Sequence, residues 1–117
     1  VRTVSGIFVD CSFFTLRSVS VRQIEVNVNG QILLSQAVLE YMIPQNKGNI
    51  INISSMRGLD CPHFPFYPET WGDQPVTYTA EKWALVGLTK YMAGRYGKDN
   101  IRVNCIAPGG YNPDGWT

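Results

Sequence analysis

An α/β fold, part of a doubly wound parallel sheet with helices on both faces, is predicted by three observations. Short apolar β-type runs at Ile7–Val9, at 49–53 and at Ile101–Ile106 alternate with two segments of helical period, at about 22–42 and Val76–Tyr96. The order strand, helix, strand, loop, helix, strand implies right-handed crossovers between parallel neighbours. Three strands do not complete such a sheet, and the glycine-rich turn of a dinucleotide-binding βαβ unit, Gly-x-Gly-x-x-Gly, is found nowhere along the chain. The sequence therefore reads as one domain, 1–117, that forms the second part of a doubly wound fold.

Taken in order, Ile7-Phe8-Val9 is a short strand after Gly6, and positions 13–21 show no clean period. From 22 to 42, Ile24, Val28, Ile32, Leu33, Ala37, Leu39 and Met42 recur at mixed steps of three and four, which suits an amphipathic helix. Pro44 and the polar Gln45-Asn46-Lys47-Gly48 stop it. Positions 49–53 are rich in β-branched isoleucine and short enough for a buried parallel strand. The stretch 58–75 is rich in proline and aromatic residues without periodicity, so a long loop is expected, and loops of that length are usually binding loops or lids. A helix with apolar Trp83, Leu85, Val86, Leu88 and Met92 follows and ends at Gly97. Ile101–Ile106 is the last strand, broken by Pro108-Gly109-Gly110.

Composition narrows the functional classes. With 44% hydrophobic residues the chain is globular, and a net charge of +1 from ten basic and nine acidic residues leaves no basic stripe for nucleic acid. A small-molecule substrate or a protein partner is expected instead. Cys11, Cys61 and Cys105 are odd in number, widely spaced and accompanied by one histidine, His63, so neither a disulfide framework nor a metal site is expected. No apolar run reaches membrane-spanning length and the start lacks a signal-peptide layout, so the expectation is a soluble, cytoplasmic protein.

The chemistry-bearing pattern begins with Tyr78-Thr79-Ala80-Glu81-Lys82. A four-residue step stacks two side chains on one helical face. A phenol with an ammonium beside it is suited to exchanging a proton near neutral pH, because the cation favours the phenolate. Alone, the pair occurs on many solvated helices. Three further features accompany it in a fixed order: Asn27 with Gly30 upstream, Asn52-Ile53-Ser54-Ser55 at a strand end, and Ile101-Arg102-Val103-Asn104 leading into Pro108-Gly109 downstream. Each has an ordinary reading as well. Ser54 or Ser55 would cap a loop, Asn27 would bond locally within its helix, and His63 would be a surface or packing residue.

Together these motifs, spanning about 24–110, resemble the classical branch of the short-chain dehydrogenase/reductase family. The resemblance implies a Rossmann-type fold lacking its first βαβ units here, and a site of four residues: Asn27, Ser55 (three before Gly58), Tyr78 and Lys82. It implies Tyr78 as general acid/base, Ser55 as hydrogen-bond donor to the substrate oxygen, Lys82 on the nicotinamide ribose, and Asn27 anchoring a water in a proton relay. NAD or NADP is the implied cofactor, contacted by Tyr78, Lys82, Pro108 and Gly109. A homodimer or homotetramer built through the two helices is implied too. Where family members carry Asn-Asn-Ala-Gly, this chain reads Asp10-Cys11-Ser12-Phe13, and the family's threonine after the Pro-Gly turn gives way to Tyr111-Asn112-Pro113-Asp114. The long stretch between Ser55 and Tyr78 resembles that of reductases of sugar or surface-polysaccharide metabolism, which implies a sugar-like substrate under an overhanging loop.

The expected activity is NAD(P)-dependent interconversion of an alcohol and a ketone or aldehyde. Two alternatives stay open. One is a non-catalytic remnant or fragment that binds no dinucleotide, suggested by the missing glycine-rich unit and by Asp10-Cys11-Ser12-Phe13. The other is a nucleotide-sugar epimerase or dehydratase of the extended branch, against which Ile101-Arg102-Val103-Asn104 argues.

Overall fold

A computed structural model describes residues 2–4, 7–9, 17–66 and 74–110. Among them are four strands, β1 (Arg2–Val4), β2 (Ile7–Val9), β3 (Gly48–Ile53) and β4 (Ile101–Ile106), and three α-helices, α1 (Arg17–Ile24), α2 (Gly30–Met42) and α3 (Val76–Tyr96). Segments 10–13, 67–73 and 111–114, which include the replaced Asn-Asn-Ala-Gly position, the middle of the aromatic loop and the position of the missing threonine, lie outside the described residues.

The first helix is longer than its sequence pattern. A π-helical turn, Glu25–Asn29, joins α1 to α2, and the backbone stays right-handed helical at Ile24 and Gly30, so one rod runs from 17 to 42. The lead-in Ser18-Val19-Ser20-Val21 alternates polar and apolar instead of following a helical period, and α1 buries no residue, which is why periodicity did not mark it. The Gly30 N–H donates to Glu25 O, closing the wider i→i+5 ring. That one inserted residue rotates the helix face before it relative to the face after it. The other boundaries follow the sequence closely: α2 stops at Met42, α3 covers Val76–Tyr96 and β4 covers Ile101–Ile106. Asn46 and Asn100 close the turns before β3 and β4 with positive φ (47° and 55°), a conformation asparagine tolerates, and Asn100 Nδ2 donates to Asn46 O at 3.0 Å.

β3 and β4 pair in parallel from Gly48↔Ile101 to Ile53↔Ile106, with α3 as the crossover. The first strand departs from expectation. β2 does not enter this parallel sheet; it pairs antiparallel with β1 in a separate two-stranded sheet, Arg2 opposite Val9 and Val4 opposite Ile7. Three apolar residues suffice to mark a strand, but the partner is chosen by cross-strand contacts that a run so short does not encode.

Burial alternates along both parallel strands. Ile101 and Val103 of β4 face inward with Leu39 of α2 and Met92 of α3, and Met42, Ile50, Leu88, Ala93 and Tyr96 pack around them. A buried polar tie crosses this layer: Asn52 Nδ2 donates to Thr89 Oγ1 at 2.8 Å, and Thr89 Oγ1 donates to Leu85 O at 2.7 Å. Both α2 and α3 therefore use the same face of the sheet. The opposite face carries Ile51, Ile53 and Ile106, each about half exposed. Parallel sheets are characteristically covered on both faces, and among the described residues this one is covered on one. Trp83 is also half exposed and does not belong to the core.

Gly58 sets how closely the turn after β3 approaches α3. A Cβ there would meet the Lys82 carbonyl oxygen at 2.5 Å and collide with Ser54 Oγ, so only glycine fits between strand end and helix.

Candidate active site

The carboxyl ends of β3 and β4 stay paired beyond the strands. Ser54 N donates to Ile106 O at 2.8 Å and Met56 N to Pro108 O at 2.9 Å, which brings the turn holding Ser55 alongside the Pro108-Gly109 turn. The two adjacent serines are used differently. Ser54 Oγ donates to Lys82 O at 2.7 Å, fastening the strand end to α3. Ser55, extended and 8% exposed, caps the short 3-10 turn Met56–Gly58 by accepting from Arg57 N at 3.2 Å. Its own O–H donates to no partner among the described residues, so one serine is structural and the other keeps a proton to offer.

Tyr78 lies in the first turn of α3, where its N–H donates to Pro75 O at 3.0 Å. Lys82 follows one turn on, with Nζ 5.5 Å from the Tyr78 ring centroid, within cation–π range. The ammonium also donates to Ile53 O at 3.2 Å, the last residue of β3. An ammonium carries three donors, and among the described residues the other two remain for a ligand. The helical stacking read from the four-residue step is thus realised at the edge of the sheet.

Asn27 is the central residue of the π-helical turn, and its Nδ2 donates to Glu81 Oε2 at 2.9 Å. Asn27, Tyr78 and Lys82 line one pocket of about 260 Å³ together with Gln31, Ile53, Glu81 and Leu85. Ser55, Pro108 and Gly109 are not in its lining; they stand at the strand ends beyond Ile53. Glu81 and Gln31 were not singled out from the sequence. A signal for Glu81 existed: it falls in the buried stripe Thr77, Glu81, Leu85, Thr89, Met92 of α3, where a carboxylate needs a reason to be.

The loop after the 3-10 turn brings Asp60, Cys61 and His63 together, with ligand atoms within 4.8 Å of one another. All three are exposed. His63 Nε2 lies 3.5 Å from Asp60 Oδ2, and Arg57 Nη1 donates to Cys61 O at 3.2 Å, which sets a positive charge beside the cluster and works against a cation. Among the described residues no helix is long and apolar enough to cross a membrane.

Residues 5–116 match the family described as short chain dehydrogenase. The chain belongs to that family. Among its short-chain dehydrogenase relatives, 7alpha-hydroxysteroid dehydrogenase of Bacteroides fragilis is 37% identical over 84 residues, which is 72% of this chain and 29% of the relative. In a crystal structure, a short chain dehydrogenase from Leptospira borgpetersenii with bound NAD+ is 32% identical with a TM-score of 0.76, the match covering 92% of this chain and 41% of that one. A gluconate 5-dehydrogenase from Burkholderia cenocepacia, in complex with NADP and tartrate, is 26% identical with a TM-score of 0.72 over 91% of this chain and 37% of that one. The chain spans under a third of the length of relatives such as the steroid dehydrogenase. Its fold is that part of the Rossmann-type α/β architecture that carries the Tyr-x-x-x-Lys helix.

Proposed function

We propose that this chain supplies the proton-transfer half of an NAD(P)-dependent oxidoreductase that interconverts an alcohol and a ketone or aldehyde. The observation that carries the reading is the shared pocket of Asn27, Tyr78 and Lys82 at the carboxyl edge of a parallel sheet, with Ser55 at the adjoining strand end. That edge is where open α/β sheets bind nucleotides.

In the direction of reduction, the Ser55 hydroxyl donates a hydrogen bond to the substrate oxygen and the Tyr78 hydroxyl delivers the proton to it. In the reverse direction the Tyr78 oxygen accepts that proton. Lys82 keeps positive charge beside the phenol and, with two donors left over, suits the vicinal hydroxyls of a ribose. The donor set therefore fits a dinucleotide, with the Pro108-Gly109 turn on its nicotinamide side. When bound, that cofactor supplies or takes up the hydride. The protein's part is position and field.

A sugar-like or polyol substrate is part of the proposal. It is supported by the length and aromatic content of the loop after Ser55 and by the likeness to a gluconate 5-dehydrogenase. Assembly into a homodimer or homotetramer is supported by exposed apolar residues on the helices, Leu33, Leu34 and Tyr41 of α2 and Trp83 and Tyr91 of α3. Free Cys61 and Cys105 accord with a reducing, cytoplasmic setting.

The test is a titration of the full-length protein with NADH and NADPH, followed by turnover on a panel of polyols and sugar acids. Saturable energy transfer from tryptophan to the reduced cofactor and dinucleotide-dependent oxidation of at least one polyol are expected. Absence of dinucleotide binding would instead support a remnant that associates through its helices without catalysis.

A further inference from the structure

A carboxylate outside the four-residue motif stands in the same pocket. Glu81 is 4% exposed, and its two oxygens are in unlike situations: Oε2 accepts from Asn27 Nδ2 at 2.9 Å, whereas Oε1 is buried without a hydrogen-bond partner among the described residues. A buried carboxylate oxygen left unpaired is costly, so a residue retained on this stripe only for packing would be apolar, as its neighbour Leu85 is. Its one bond reaches the centre of the π-helical turn. Asn29, at the end of that turn, bonds within its own helix, donating from Nδ2 to Glu25 Oε2 at 2.7 Å, so Asn27 is the turn's polar link to α3 among the described residues. One turn earlier, Thr77 Oγ1 donates to Gln23 Oε1 at 2.6 Å, a second tie with the same separation of 54 positions.

We propose that Glu81 is a positioning residue: its carboxylate clamps the Asn27 side chain, and with it the π-helical turn, against α3 beside Tyr78 and Lys82. A π turn competes with the ordinary α ladder and is kept where something outside the helix holds it. The clamp supplies that hold. It keeps Asn27 in the pocket that Tyr78 and Lys82 also line, so its effect on turnover runs through Asn27 and not through contact with substrate.

The kinetic consequence rests on the oxidoreductase reading, so the test has two arms in the full-length protein. The first reads melting temperature and needs no activity. Asn27→Asp sets two acceptors against each other and is expected to lower the melting temperature by about 3–6 °C, while adding Glu81→Gln restores a donor–acceptor pair in reverse and regains at least half of that loss. A double variant that melts no higher than the sum of the single changes predicts would overturn the clamp, since additivity means that the side chains do not interact. The second arm compares Glu81→Gln, which keeps an acceptor oxygen for Asn27, with Glu81→Leu, which keeps none, measuring kcat and NADH affinity on the polyol turned over fastest. Expected are near-normal turnover for the glutamine variant and a loss of about tenfold in kcat for the leucine variant, the size of one hydrogen bond, with NADH affinity unchanged. Wild-type kcat in a folded leucine variant, or an equal loss in both variants, contradicts a positioning role. Should the unaltered protein show no turnover, the oxidoreductase reading fails by itself and the melting cycle still decides the clamp.

Discussion

The Ser54 hydroxyl donates to the Lys82 carbonyl at 2.7 Å, joining the end of β3 to the second turn of α3 across 28 positions. This bond separates two serines that the sequence leaves equivalent. With Ser54 committed to the helix backbone, Ser55 is the one whose hydroxyl proton has no acceptor among the described residues. The same bond fixes the height of α3 against the strand end, and so where Lys82 Nζ meets Ile53 O.

Replacing each serine by alanine is expected to divide stability from activity. Ser54→Ala removes a part-buried hydrogen bond and lowers unfolding free energy by about 0.5–1.5 kcal/mol. Ser55→Ala removes a cap on a three-residue turn and costs about 0.5–1 kcal/mol, yet lowers kcat by about 10²-fold or more through loss of the donor to the substrate oxygen. Urea unfolding and initial rates on the same preparations check both.

Gly58→Ala tests the close approach of turn and helix. The added methyl meets the backbone carbonyl of Lys82, which cannot swing aside as a flexible side chain can. A loss of about 1–3 kcal/mol or more is expected, read as a lower urea midpoint with an unchanged slope. A neutral Gly58→Ala would mean that the strand end and α3 stand farther apart than described.

Thr89→Val tests the buried tie to Asn52. Losing the hydroxyl leaves the Asn52 amide unpaired in the core, at a cost of about 1–3 kcal/mol. The pair Asn52→Leu with Thr89→Val, which removes both polar groups, is expected to recover most of that loss. Chemical denaturation of the two single variants and the double one measures the coupling.

What the sequence made legible were the segments with a strong period and clear stops. Val76–Tyr96 and Ile101–Ile106 were readable in type and approximate extent because Pro75, Gly97 and Pro108 bracket regular apolar patterns. The start of the first helix was not readable, since 18–21 lacks a helical period and α1 contributes nothing to the core. The partner of Ile7–Val9 was not readable either, because pairing is a property of two segments and not of one. At the site, the spacing of Tyr78 and Lys82 is fixed by helix geometry and could be read locally. The meeting of Asn27 with Glu81 depends on how a π turn aims one side chain at another helix, and no local pattern records that. The buried position of Glu81 was the available clue, visible once α3 is drawn with Thr77, Leu85 and Thr89 on one stripe.

The most direct test of the account is the turnover of Tyr78→Phe in the full-length protein, measured beside its melting temperature and NADH affinity. The account predicts a loss of about 10²–10⁴-fold in kcat, with melting temperature and cofactor affinity close to those of the unaltered protein, because the change removes one oxygen from a half-buried ring. Full activity in a folded Tyr78→Phe protein would contradict it, since the proton would then come from another group.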